Sequence, residues 1–388
     1  MAVVTFTVDH LEHDGSVIAT FSPHNLRWRY QMGAFGPGWI YYEIPWSDPG
    51  LTTDGWAAKR TDWQLNVLLD GAPFPIMAGV HGPNSINTDG NVVKVTGHDW
   101  LAWLDQPFLG FDYTLGFAAF LATSGDSELV RHWADASGDT QEDVVDGLLA
   151  PLFDDPAEQL ILTPVFLGTA WLQGLDYRVF RGDSTTVLQH MAAISDLADP
   201  FGFDFWTTYD KLIYMTGPRV NSPSSVSSIY SLTGPSNGIV GIPGWENRGP
   251  TAATSIAIAS GVGNASRFSL KTYAPSRTTY RDWTVIRSLN RASSDLTSED
   301  GVGYFAEGGG YQDRHPQKVL PLTIRPEVVD PSDPTAMFFN QLGQTLNVDY
   351  TFPAYHRVDA DFWITGQEFY SDGANNWLCD LSLDQVYN

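Results

Sequence analysis

A two-residue alternation, punctuated by turn residues at both ends of the sequence, constrains this chain most. Val3 to Val8 sets Phe6 and Val8 against Thr5 and Thr7, the period of a half-buried strand. Trp39-Ile-Tyr-Tyr-Glu-Ile44 is a second strand, stopped by Pro45, with Gly33, Gly36, Pro37 and Gly38 in the loop before it. Trp63 to Leu69 runs into Asp70-Gly71, a pair that suits a type I′ hairpin because both central positions need positive φ. Phe74 to Val80 returns, Asn87-Thr-Asp-Gly90 turns again, and Asn91 to Thr96 returns once more. Near the other end, His356 to Tyr370 keeps Val358, Ala360, Phe362 and Ile364 on one face. Ser371-Asp-Gly373 turns, and Trp377, Cys379, Leu381 and Leu383 come back on one face. Strands joined by such short turns are antiparallel.

Between these ends the period changes. Asp139 or Thr140 caps a predicted helix carrying Val144, Val145, Leu148, Leu149 and Leu152, with Glu142 and Asp143 at its positive end and Pro151 limiting its length. A clearer helix is predicted over 184–198. It starts at Ser184 or Thr185, and Val187, Leu188, Met191, Ile194 and Leu197 share one face. A hairpin over 203–216 follows, turning at Tyr209-Asp-Lys211. Gly97-His98-Asp99 leads into Trp100 to Leu104, with Asp99 as a helix cap. Asp333 is read as the cap of a third helix, over 334–345, with Pro334 at its first position. The expected fold is α+β and predominantly antiparallel β, with two β-barrel-like domains around a mixed α/β centre. The divisions fall at 1–107, 108–218 and 219–388, the last opening on a Ser-, Gly-, Pro- and Asn-rich linker.

Charge narrows the partners. The chain has 388 residues, 45 acidic and 21 basic, for a formal net charge of -24. Such a surface repels polyphosphate and anionic lipid, which argues against a dedicated nucleic-acid binder and against membrane anchoring. The lone Cys379 forms no internal disulfide, and no apolar run suits a membrane span. The acids are unevenly spread. Residues 126–212 hold sixteen acidic and four basic side chains. Residues 267–291 are basic, with Arg277, Arg281 and Arg287 beside Trp283.

The order of elements resembles the tail-tip hub, or minor tail, proteins of long-tailed bacteriophages, especially those of actinobacterial hosts. The resemblance rests on the meander ending in Gly97-His98-Asp99-Trp100-Leu101, and on Gly182-Asp183-Ser184-Thr185-Thr186-Val187-Leu188 with its helix and the Gly202-Phe203-Asp204-Phe205 hairpin. It rests also on the C-terminal pair from His356-Arg357-Val358 to Trp377-Leu378-Cys379. It covers roughly half the chain. The resemblance implies a structural virion protein, a homotrimeric ring at the distal end of the tail, and no cofactor. It implies as partners a distal tail protein, the tape-measure protein and other minor tail or fibre proteins, with DNA passing through unretained.

Site chemistry is sparse in the sequence. Nine histidines are scattered, and His10 with His13, at a strand end, lacks any HExxH or Cys/His cluster. They are read as surface or edge histidines, and no metal is expected. Asp330-Pro-Ser-Asp333 falls short of a calcium loop. His98-Asp99 has no nucleophile elbow to complete a triad. The alternative to a structural protein is a carbohydrate-binding or wall-degrading, glycoside hydrolase-like tail protein, which needs a carboxylate pair in an aromatic cleft. Adjacent acids such as Asp154-Asp155 and Glu299-Asp300 lie in loop-like sequence, and nothing singles out an acid and its partner. No catalytic residue is assigned. The candidate interface is Arg277, Arg281, Arg287 and Trp283, with Trp39, Tyr41 and Trp46 from the aromatic-rich stretch that also holds Trp28, Tyr30, Tyr42, Trp56 and Trp63. The basic island is expected to dock on the acidic 126–212 region of a neighbouring copy or on another tail protein.

Overall fold

The computed structural model describes residues 4–12, 14–52, 61–81, 86–105, 129–133, 140–153, 162–167, 177–180, 185–196, 203–216, 230–233, 238–240, 246–248, 256–260, 268–272, 286–289, 317–319, 322–330, 332–352, 356–373 and 376–385. Eight strands come first: β1 (Thr5–Leu11), β2 (Val17–Phe21), β3 (His24–Gln31), β4 (Trp39–Pro45), β5 (Asp62–Leu69), β6 (Ala72–Val80), β7 (Ile86–Asp89) and β8 (Val92–Asp99). The centre holds β9 (Leu129–Trp133), α1 (Gln141–Phe153), β10 (Thr163–Leu167), β11 (Tyr177–Phe180), α2 (Val187–Asp196), β12 (Phe205–Thr207) and β13 (Leu212–Thr216). Short strands follow: β14 (Tyr230–Thr233), β15 (Glu246–Arg248), β16 (Ile256–Ser260), β17 (Phe268–Thr272), β18 (Ile286–Leu289), β19 (Gln317–Val319) and β20 (Leu322–Ile324). The chain closes with β21 (Thr345–Phe352), β22 (His356–Ser371) and β23 (Trp377–Gln385).

The fold is predominantly antiparallel, as the alternation requires. Asp70 and Gly71 both have positive φ, 50° and 83°, at the β5–β6 turn. The two ends, however, share one sheet. Its order is β14-β21-β22-β3-β4-β8-β6-β5-β1-β2, with β23 and β20 beyond β22 and β7 beside β8. The join is β3 against β22, from Gly366 opposite Gln31 to Tyr370 opposite Arg27. The sheet curls, so that Phe6 on β1 meets Trp28 on β3 at 5.1 Å between ring centroids. Its path ends at β2 and β14 without closing into a barrel.

Inside the curl, Trp28 stacks on Phe369 at 4.6 Å, and Phe6 meets Phe338 and Trp377 edge-on. Residues from both chain ends therefore build one core. A second core joins α1, α2 and the β12–β13 hairpin to the 3-10 turn Trp100–Leu104. Both helices begin with reciprocal caps. Thr140 Oγ1 accepts from Asp143 N while Asp143 Oδ2 accepts from Thr140 N. Thr186 and Gln189 repeat the exchange, a capping box in each case. The start of α2 is thus two or three residues later than predicted, and α1 runs through Pro151 to Phe153.

The predicted helix over 334–345 is corrected. Only a 3-10 turn, Ala336–Phe338, forms there, and β21 has begun by Thr345. Asn340 Oδ1 accepts from Leu342 N, and Gly343 has φ 75°. A side chain that satisfies its own neighbourhood's backbone competes with the helix. Met337, Phe338 and Leu342 are buried as expected, but through a turn. Residues 334–345 serve as a plug that fills the core from the C-terminal half.

Candidate assembly surface

The core-facing alternation of β3 and β4 fixes what points outward. Leu26, Trp28, Tyr30, Ile40, Tyr42 and Ile44 are buried. Arg27, Arg29, Trp39, Tyr41 and Glu43 therefore occupy the opposite, outward face. Two of the predicted interface aromatics, Trp39 and Tyr41, lie here, half-buried, opposite Arg29 and Arg27 on β3. Tyr41 donates to Glu43 Oε1 at 2.6 Å. On the next strand Glu368 takes both Arg27, at 2.8 Å, and Arg29, at 3.8 Å. Arg27 also lies over the Tyr370 ring, 5.7 Å from its centroid. Trp46 is 54% exposed, tethered by its indole N–H to Gly90 O at 3.0 Å. The other early tryptophans and tyrosines, Trp28, Tyr30, Tyr42 and Trp63, are core.

The basic island is not brought to this face among the described residues. Arg287 sits on β18, opposite Ala257 of β16. Arg277, Arg281 and Trp283 lie outside the described residues, as do Asp154-Asp155, Glu299-Asp300, His13 and Trp56. Arg27, Arg29 and Tyr370 were not singled out from the sequence. The signal was present in Leu26 to Gln31, where Arg27 and Arg29 alternate with three buried residues.

A second constellation joins the two cores. Asp99 caps the Trp100–Leu104 turn by accepting from Leu101 N at 3.0 Å, as predicted, and also accepts from Gly38 N at 2.9 Å. Burial pushes its carboxyl up to about 7, although the hydrogen bonds from Gly38 N and Leu101 N pull it down. Asp99 lines a small cleft with Tyr30, Gln31, Thr207, Tyr209 and Asn340. Lys211 at the β12–β13 turn reaches Asp62 at 3.9 Å and lies 4.7 Å over the Trp100 ring. Phe205 packs so closely on Gly33 that a Cβ there would be 2.0 Å from Cε2.

The edge reading of His10 is corrected. It is fully buried, hydrogen-bonded to Tyr42 Oη, and its ring centroid is 4.6 Å from that of His81. Burial holds His10 well below the ordinary histidine range, and the charge of His81 adds to this. Burial likewise takes His81 down to about 4, against a hydrogen bond to Thr61 O at 3.0 Å. Neutral rings fit this core; charged ones do not. Among the described residues no three His, Cys, Asp or Glu side chains come together as a metal set. No helix among them is long and apolar enough to cross a membrane.

No family model matches the sequence, and no curated protein matches it. Solved structures do share the fold. A tail protein from Neisseria meningitidis MC58 superposes with a TM-score of 0.61 at 14% identity, covering 100% of this chain and 98% of that one. The 43 kDa tail protein of prophage MuSo2 from Shewanella oneidensis gives 0.61 at 11% identity, covering 99% of this chain and 98% of that one. Curled sheet, central helices and C-terminal strands together thus make up a fold that these two tail proteins also have.

Proposed function

We propose that this protein is a structural subunit of a bacteriophage tail tip. It forms the hub ring that joins the tail tube to distal tip and receptor-binding proteins, and it serves as a conduit for tape measure and DNA. The observation that carries the reading is the fold shared with two tail proteins over nearly the full length of all three chains. The motifs at 97–101, 182–205 and 356–379, which resemble hub proteins of long-tailed phages with actinobacterial hosts, support the finer assignment. A closed ring of three copies fits a hub, since a heterologous contact that closes makes a ring. The net charge of -24 suits a conduit that does not retain DNA.

The subunit is proposed to assemble rather than catalyse. Antibody labelling of purified virions tests the placement, with label expected at the distal end of the tail. Label along the shaft, or none on particles, would refute it. Incubation with purified host cell wall is expected to release no reducing sugar; release that tracks the protein concentration would favour the wall-degrading alternative.

A further inference from the structure

A buried polar group must meet a partner, in the protein or in ordered water. Asp99, at the end of β8, is 6% exposed. Its Oδ1 accepts from Leu101 N at 3.0 Å and its Oδ2 from Gly38 N at 2.9 Å. A carboxylate has about four acceptor positions, so these two bonds leave it capacity for more. Bare backbone closes on it from the sheet. A Cβ on Gly38 would lie 2.7 Å from Asp99 Oδ2, and one on Gly79 would lie 2.6 Å from Asp99 Cα. The same carboxyl lines the cleft that it shares with Thr207, Tyr209 and Asn340.

Thr207 closes β12 and is also 6% exposed. Its side chain is near enough to act on the Asp99 carboxyl. Yet its Oγ1 is buried and reaches no partner of hydrogen-bond geometry among the described residues. A threonine hydroxyl can both donate and accept, so both capacities are unused there. The backbone of Thr207 is held in place on two sides. It stands opposite Ile213 on β13, and its carbonyl accepts from Asn340 Nδ2 at 3.3 Å.

The cleft has room for about one water molecule. That is too small for a sugar ring or for the side chain of another protein. The carboxyl titrates near 7, so an occupant has to serve both its charged and its neutral form. A water does, since it donates to a carboxylate and accepts from a carboxylic acid; a cation serves only the charged form.

We propose that this cleft binds one water, which bridges the Asp99 carboxyl to the Thr207 hydroxyl and ties the β12–β13 hairpin to the sheet. Phe205 of β12 packs in the second core and Trp206, next to it, in the first. The water thus sits beside the strand that both cores share, and Thr207 is a positioning residue for their joint. The inference goes beyond the tail reading and does not depend on it.

The test is a high-resolution crystal structure of the full chain, with amide hydrogen exchange in solution. In the wild type, a water is expected about 2.7–3.2 Å from both an Asp99 oxygen and Thr207 Oγ1. Thr207→Ser keeps the hydroxyl and should keep the water. Thr207→Val keeps the shape, loses the hydroxyl and should lose the water. In that variant, exchange across 203–216 should rise roughly three- to tenfold, the worth of one hydrogen bond, while β4 and β8 exchange as before. A wild type with no water there overturns the proposal, as does a direct bond from Thr207 Oγ1 to Asp99. So does a Thr207→Val protein that retains the water or leaves the hairpin's exchange unchanged. If Thr207→Val does not fold, the wild-type and Thr207→Ser densities decide.

Discussion

Replacing Asp99 with Asn should make the protein more stable above neutral pH and leave it nearly unchanged in mild acid. Asp99 is buried where the sheet meets the central hairpin, and it titrates near 7 in the fold against an ordinary value of 3.8. A carboxyl whose folded value is raised adds stability below its unfolded value and loses it as pH rises through the folded one. At about 1.4 kcal/mol per unit, the difference is worth about 4 kcal/mol between pH ~4 and pH ~8. The amide of Asn has the shape of the protonated carboxyl, with one acceptor oxygen and one donor group. It keeps one of the bonds to Gly38 N and Leu101 N in either state. The two proteins should therefore match within about 1 kcal/mol near pH 4. Near pH 8 the Asp99→Asn variant should lead by about 4 kcal/mol. Urea unfolding of both proteins across this range measures the difference, with equal slopes showing that the same surface is exposed. A wild type that is the more stable by a constant margin at both ends would refute the reasoning. It would mean that Gly38 and Leu101 hold an ionised carboxylate without penalty.

The histidine pair works in the opposite direction. His81 titrates near 4 folded and 6.5 ordinarily, so its contribution is complete above 6.5 and falls by about 3 kcal/mol as pH drops toward 4; His81→Gln should flatten that acid loss in the same urea series. Gly33→Ala would place a methyl group against Phe205 and should cost about 1–3 kcal/mol, read as a lower thermal midpoint. Trp28→Ala removes the ring that stacks on Phe369 and should cost about 3–5 kcal/mol by the same measurement. Cys379 is fully buried and burial raises its thiol, so a thiol reagent should label it only as the protein unfolds.

What could be read from the sequence follows from how local each interaction is. The Asp70-Gly71 turn, the Thr140–Asp143 cap and the Asp99 cap are made by residues within a few positions of one another. Their chemistry is written in adjacent letters. His10 was legible but misread: it shares its parity in β1 with Phe6 and Val8, which are buried, and parity outweighs polarity when a partner such as Tyr42 waits inside. The helix over 334–345 failed for the converse reason. Met337, Phe338 and Leu342 have helical spacing because the core needs three apolar side chains there, and a turn supplies them as well as a helix would. The outward pair Arg27 and Arg29 was visible as an alternation. What they face, Glu368 on a strand 341 positions away from Arg27, was not.

That distance has a consequence for how the fold forms. β3 cannot complete its outer edge until β22 exists, and β22 lies in the last tenth of the chain. The buried rings of Trp28 and Phe6 find Phe338, Phe369 and Trp377 only then. Contacts of such sequence separation carry a large loop-closure cost before they return any stability. An N-terminal segment ending before β21 would hold the β1–β8 meander with one side of β3 unpaired and half of its aromatic cluster absent. Such an edge, next to exposed tryptophan, is a template for association with other chains. The C-terminal hairpin therefore acts as an internal closing piece. It covers the edge of the first strands, carries the apolar side of the core, and on its other side supplies the carboxylate that holds Arg27 and Arg29 in place. One strand, β22, thus sets both the inner packing and the outward charge pattern. A change in its register would move Phe369 out of the core and Glu368 away from the arginines in a single step.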